Sequence, residues 1–244
     1  MSTVSTTFAT PASALAIAAH PDDAEFGCGA TLARWAADGC VVHHLICTDG
    51  SKGTWDVDAD TAALVARRQD EQRAAARALG ATGEVSFLGE VDGELQADLA
   101  TRGRVALVIR RLRPQVVLGH DPWQRWRLHP DHREAGLLTV EGIVAARDPH
   151  FFPEHGLDHH RPDALLLFES EEPDLVIDVA GFGAAKAAAL EAHESQFETT
   201  MEIDDRADET QRRRFRDKIE AELAETGADH GLGAAEAFRL IDDL

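Results

Sequence analysis

Tyrosine is absent from this chain, cysteine occurs only three times, and 24 basic residues stand against 44 acidic ones. Each shortage excludes something. Cys28, Cys40 and Cys47 form no CxxC pair, so neither a disulfide framework nor a thiolate zinc site is expected, and a reducing, cytoplasmic location fits. The formal net charge of -20 argues against nucleic acid and anionic membrane as partners, since both need basic patches that replace counterions. No apolar run approaches the ~18 residues of a membrane span. The N-terminal stretch has small and apolar residues but no Lys or Arg before them, unlike a secretory signal. A dinucleotide fingerprint is also missing: Gly27-Cys28-Gly29 supplies half of G-x-G-x-x-G, and Leu32 stands where the third glycine belongs. Walker and G-x-S-x-G loops are absent too, which removes the P-loop and common α/β-hydrolase readings.

What is present alternates strand and helix. Residues 14–19 are apolar, too short for a helix, and bounded by Pro11 and Pro21, so they read as a fully buried parallel strand. Helical spacing follows over 28–38, with Gly39 as stop, then a strand over 41–47. Further helices are expected over 60–79, 99–113, 130–146, 182–197 and 208–225, and strands over 85–88, 116–119, 164–168 and 175–179. Residues 232–244 read only as a weakly apolar tail. The pattern predicts a single α/β domain, Rossmann-like, with a mostly parallel central sheet flanked by helices over 14–244, after a flexible N-terminus at 1–13.

Polar residues gather where these strands end, the edge at which open α/β sheets bind ligands. His20-Pro21-Asp22-Asp23 follows the first strand and Thr48-Asp49-Gly50 the second. His120-Asp121 follows the fourth, and His129-Pro130-Asp131-His132 begins the next helix. Imidazole and carboxylate are ligands that Zn²⁺ accepts in catalytic sites, and a neighbouring carboxylate can serve as general base. The alternative for the first group is a plain turn in which Asp22 or Asp23 caps a helix beginning near Phe26. Arg68 and Glu71, three apart, read equally as a solvated ion pair. His155, His159 and His160 have no convergent acid before them and read as a surface or subunit-contacting loop. The segment 123–128 is expected to line the substrate entrance.

His20-Pro-Asp-Asp-Ala-Glu-Phe-Gly-Cys-Gly-Ala-Thr and the later His129-Pro-Asp-His resemble the two motifs of the LmbE-like (PIG-L type) family of zinc-dependent N-acetylglucosaminyl deacetylases. Thr48-Asp49-Gly50, Arg68 with Glu71, the 186–196 segment and GLGAAEAFRLI add to the likeness, which spans about 14–241. The resemblance implies that His20, Asp23 and His132 hold zinc and that Asp22 is the general base. It implies that His129 stabilises the oxyanion or protonates the leaving amine, with Asp131 orienting it. Arg68, Asp49 and His193 are implied as substrate contacts. The implied partner is a small amino-sugar conjugate, and the implied assembly a homo-oligomer, trimer or hexamer. The A-E-F-G continuation and the H-x-S-Q segment are most similar to the deacetylases of N-acetylglucosaminyl malate. A mycothiol-conjugate-type amidase and a non-catalytic binding module on the same fold are the alternatives. Some relatives carry tyrosine where Arg127 stands here.

Overall fold

In the computed structural model, which describes residues 4–244, strands and helices follow one another as β1 (Ser13–Ala18), α1 (Asp23–Ala37), β2 (Val41–Thr48), α2 (Thr61–Ala78), β3 (Val85–Glu90), α3 (Leu99–Leu112), β4 (Val116–His120) and α4 (Pro130–Arg147). After a 3-10 turn at Pro153–His155 come β5 (Ala164–Phe168), β6 (Leu175–Asp178), α5 (Gly183–Glu191), a second 3-10 turn at Glu194–Gln196, α6 (Phe197–Thr200), α7 (Glu209–Ala228) and β7 (Ala235–Ile241). Asp60, Asp98 and Asp208 accept first-turn backbone N–H groups at the starts of α2, α3 and α7, so part of the acidic excess serves as helix caps.

The seven strands form one sheet in the order β3-β2-β1-β4-β5-β7-β6. β1 lies between β2 and β4 and is parallel to both. Its side chains alternate by size: Ala14, Ala16 and Ala18 pack in the layer with Ala30, Leu32 and Trp35 of α1, and Leu15 and Ile17 in the layer with Val105 and Ile109 of α3 and Leu138 of α4. Small residues on one face let α1 approach closely; larger ones fill the other. The strand order reverses between β1 and β4, which opens a crevice at their carboxyl ends.

Three segments depart from the sequence reading. Residues 232–244 contain β7, which inserts between β5 and β6 antiparallel to both. The helix expected over 182–197 stops at Glu191, because the backbone N–H and hydroxyl of Ser195 donate to Glu71 on α2 and hold the chain out of helical register. At the N-terminus, residues 1–3 lie outside the described residues. Ser5 is not loose: it bridges to Leu175, donating to Asp174 O and accepting from Val176 N.

α1 is itself broken. Cys28 leaves helical geometry at φ -150° and ψ 18°. Glu236 of β7 accepts the N–H groups of Ala30 and Thr31 after the break, and Lys186 of α5 donates to Phe26 O before it and pairs with Glu236 at 2.7 Å. A buried ion pair thus supplies the partners that the helix interruption leaves wanting.

Candidate metal centre and active site

The loops after β1 and β4 meet over the crevice, bringing together residues more than a hundred positions apart. His20 Nδ1 lies 3.2 Å from Asp23 Oδ2, and His132 Nε2 lies 3.3 Å from Asp23 Oδ1. Each spacing, one to either oxygen of Asp23, is near the ligand–ligand separation of roughly 3.3 Å expected for bonds of about 2.0 Å to one tetrahedral metal. Nitrogen atoms of His20, His129 and His132 also lie within 4.8 Å of one another, as do donor atoms of Asp23, His120 and His132.

Tautomer logic supports a cation at this point. His20 Nε2 faces two carboxylates, Asp92 Oδ1 at 3.1 Å and Asp131 Oδ2 at 3.2 Å, so it carries the proton. In neutral His20 that leaves a lone pair on Nδ1 aimed at the Asp23 carboxylate, and two acceptors face each other comfortably only across a positive charge. A ligating histidine whose other nitrogen donates to a carboxylate is the usual arrangement. Without an ion the charge is supplied by protons. Burial opposes it, but the Asp23 charge and hydrogen bonds to Asp131, Asp23 and Asp92 raise His20 well above the usual imidazole range. Burial likewise opposes ionisation of Asp23, yet His132 and His20 hold its carboxyl well below the carboxylate range. Nitrogen and oxygen donors in this set fit a divalent metal of the zinc or iron kind.

Asp131, expected to orient His129, has its carboxylate on His20 instead, and it also accepts from the N–H groups of Gly93 and Leu95. His129 is the N-cap of α4, its Nδ1 accepting from Asp131 N at 3.3 Å. In the neutral ring the proton is then on Nε2. Burial, then His20 and His132, lower the His129 imidazole from its ordinary value.

Asp22 has φ 103° and ψ -26° and makes no side-chain capping bond. That departs from the plain-turn alternative: its carboxylate is turned off the helix start and lines the cavity. Such a conformation in a residue with a Cβ costs on the order of 1–3 kcal/mol. Burial pushes its carboxyl up to about 6 against the pull of Arg68, whose Nη2 is 3.5 Å away. Arg68 does not pair with Glu71, which takes Arg67 at 2.8 Å. It reaches inward to Pro21 O and Gly50 O.

The cavity, about 370 Å³, is lined by His20, Asp22, Asp23, Arg68, Asp92, His129 and His132 at its base. Lys52 to Trp55, with Gln196, Thr199 and Thr200, form its walls. The segment 123–128, expected at the entrance, does not line it; Trp126 and Leu128 project outward at 77% and 95% exposure. Two expected substrate contacts are also elsewhere. Asp49 turns into its own loop, accepting from Ser51 N and Asp92 N. His193 is fully buried behind the cavity, with Nε2 3.5 Å from Glu25. Arg127, at the tyrosine position, lies 2.8 Å from His132 Nδ1 and 2.5 Å from Glu169. For neutral His132 to ligate through Nε2, Nδ1 must carry the proton, and Arg127 then rests on Glu169. His155 stacks on Phe152 and His160 contacts Pro114 O, consistent with a surface loop.

Sequence reasoning overlooked Asp92, Glu169 and Gln72, and marked His120 only as a polar residue at a strand end. His120 is buried between Asp23 at 3.3 Å and Glu169 at 3.3 Å, and its place at the end of β4 was the available signal. Asp92 had only the turn-like Val-Asp-Gly to mark it. Gln72 lies one helical turn beyond Arg68, a polar residue on the buried side of α2.

A family model described as PIG-L, GlcNAc-PI de-N-acetylase, matches residues 15–143, the span containing both motifs. The chain is 36% identical over 186 residues to the diacetylchitobiose deacetylase of Thermococcus kodakarensis, covering 75% of this chain and 69% of that protein. It is 32% identical over 244 residues to the 1D-myo-inositol 2-acetamido-2-deoxy-alpha-D-glucopyranoside deacetylase of Streptomyces avermitilis, covering 75% and 82%. Its structure is similar to that of the N,N'-diacetylchitobiose deacetylase from Pyrococcus horikoshii, with TM-score 0.84 and 26% identity, covering 95% of this chain and 84% of that one.

Proposed function

The chain belongs to the PIG-L family, and we propose that it is a metal-dependent hydrolase that removes the N-acetyl group from a small N-acetylglucosamine-type conjugate. The carrying observation is that His20 and His132 flank the two oxygens of the Asp23 carboxylate at 3.2 and 3.3 Å, with the uncapped Asp22 at the cavity base. His20, Asp23 and His132 hold the metal, which we take to be zinc. When bound it supplies Lewis-acid polarisation of the amide carbonyl and acidifies water.

The remaining steps are the work of this chain's residues. Asp22 takes a proton from the attacking water, and a carboxyl already raised by burial is suited to hold it. His129 presents Nε2–H to the oxygen of the tetrahedral intermediate, the polarising part of its expected role; a neutral imidazole suffices for that. Asp22 then delivers its proton to the departing amine, so atoms and charge balance without a protonated His129. Arg68 holds Asp22 and lines the cavity beside it.

The aglycone is open to comparison. Names of the relatives carry chitobiose and inositol conjugates, whereas the sequence resemblance singles out malate conjugates. Purified protein analysed for metal and then assayed for acetate release from N-acetylglucosamine, diacetylchitobiose, and the inositol and malate conjugates tests the reading. Metal-loaded protein releasing acetate from none of them sinks it and leaves the binding module. A homo-oligomer and a cytoplasmic location are the finer parts of the proposal. Among the described residues no helix is long and apolar enough to cross a membrane.

A further inference from the structure

We propose that Gln72 is a positioning residue that, together with Arg68, clamps the peptide group between Pro21 and Asp22 and so keeps the Asp22 carboxylate aimed into the cavity. The inference rests on Asp22 being the general base. Arg68 Nη2 donates to Pro21 O at 2.7 Å, and Gln72 Oε1 accepts from Asp22 N at 3.1 Å. The carbonyl and the N–H are opposite ends of one peptide plane. One face of α2 therefore holds both ends of it.

That plane is what would flip if the loop relaxed. A peptide flip changes ψ of Pro21 and φ of Asp22 together; with ψ of Asp22 kept at -26° it would take φ from 103° to a negative value, the unstrained right-handed region. Freed of the strained φ, Asp22 would no longer be held in the one backbone setting that places its carboxylate at the cavity. The orientation of the Gln72 amide is not ambiguous. Its Nε2 donates to Glu25 Oε1 at 2.7 Å, and a carboxylate offers no proton in return, so the oxygen must face Asp22. Gln72 and Glu25 are fully buried, and Glu25 is flanked by His193 Nε2 at 3.5 Å and His44 Nε2 at 3.7 Å. The fully buried His193 thus borders the support of the base through Glu25.

Gln72→Met removes the acceptor at similar volume, and Gln72→Asn withdraws it by one methylene. Each is expected to lower kcat roughly 10- to 100-fold, as a displaced catalytic group does, while KM stays within about twofold and bound metal is unchanged. A soluble variant with wild-type kcat overturns the proposal, as does a loss that appears in KM or metal content, which marks a merely structural role. Amide hydrogen exchange at Asp22 in the unaltered protein decides the matter even if neither variant folds. Slow exchange supports the clamp; exchange as fast as in an exposed loop overturns it. Should the unaltered protein release no acetate from any substrate, the proposed function fails, and the exchange measurement still reports on the clamp.

Discussion

Asp22 joins two properties that rarely coincide: a strained backbone and a carboxyl lifted to about 6 by burial. Asp22→Asn keeps its shape and removes the proton acceptor, so metal is expected to stay while kcat falls ~10² or more. Full activity in that variant would assign the base elsewhere. His132→Ala should lose metal first and activity with it, read as metal per chain after dialysis. Asp131→Asn withdraws a charge from the proton on His20 and should weaken metal binding by about 10- to 100-fold in chelator competition; unchanged affinity would mean that Asp92 alone suffices. The clustering of His20, Asp23 and His132, the residues proposed to hold the metal, was legible because proline-containing motifs at strand ends leave few other readings. Asp92 and Gln72 were not, since each matters through a neighbour 50 or more positions away, Asp92 through His20 and Gln72 through Asp22; His120 was marked by its strand end but not by its partner Asp23.

Among elements, α1 depends on partners outside itself. Lys186→Met leaves the Glu236 carboxylate buried without its cation and strips Phe26 O of a donor, which should cost about 3–5 kcal/mol in urea unfolding. Wild-type stability would mean that the Ala30 and Thr31 N–H groups alone satisfy Glu236. Between β3 and α3 the exposed pair Glu84–Arg111 behaves differently. Hydrogen bonds from Arg111 and then Ser86 lower the Glu84 carboxyl from 4.5 to about 2. A depressed folded value stabilises above the unfolded one and is lost as pH falls through the window from about 4.5 to 2. Exposure keeps the effect small, so Glu84→Gln should differ slightly from wild type at neutral pH and converge with it in acid. Most elements could be read from apolar periodicity and glycine stops. The break after Glu191 escaped because an uninterrupted alanine-rich pattern says nothing of Glu71 pulling on Ser195. β7 escaped because Glu236 and Arg239 interrupt a short run whose core member, Phe238, is the one fully buried large side chain it offers.

For the molecule as a whole, a charge of -20 and a pI near 4.9 imply self-repulsion at neutral pH. Raising ionic strength from about 0.01 to 0.15 M shortens the screening length from about 30 to 8 Å. The thermal midpoint should therefore rise with salt; a fall would mean that surface pairs such as Arg216 with Glu191 and Glu209 outweigh the repulsion. The parallel, Rossmann-like architecture was legible from the alternation of strands and helices, and the crevice from where the polar loops fall. The position of β7 inside the sheet was not, because nothing local tells a strand between which two others it will lie.

That position has a consequence for biosynthesis. As the nascent chain emerges, β1 to β5 can assemble in order, but β6, bridged only to Ser5, joins the sheet when β7 arrives between it and β5, and Glu236 reaches the interrupted helix with the same late segment. Translation must run past Ile241 before the catalytic loop rests on a finished scaffold. A ribosome stalled before β7 (Ala235–Ile241) emerges would display an unclosed sheet margin to the chaperones around it.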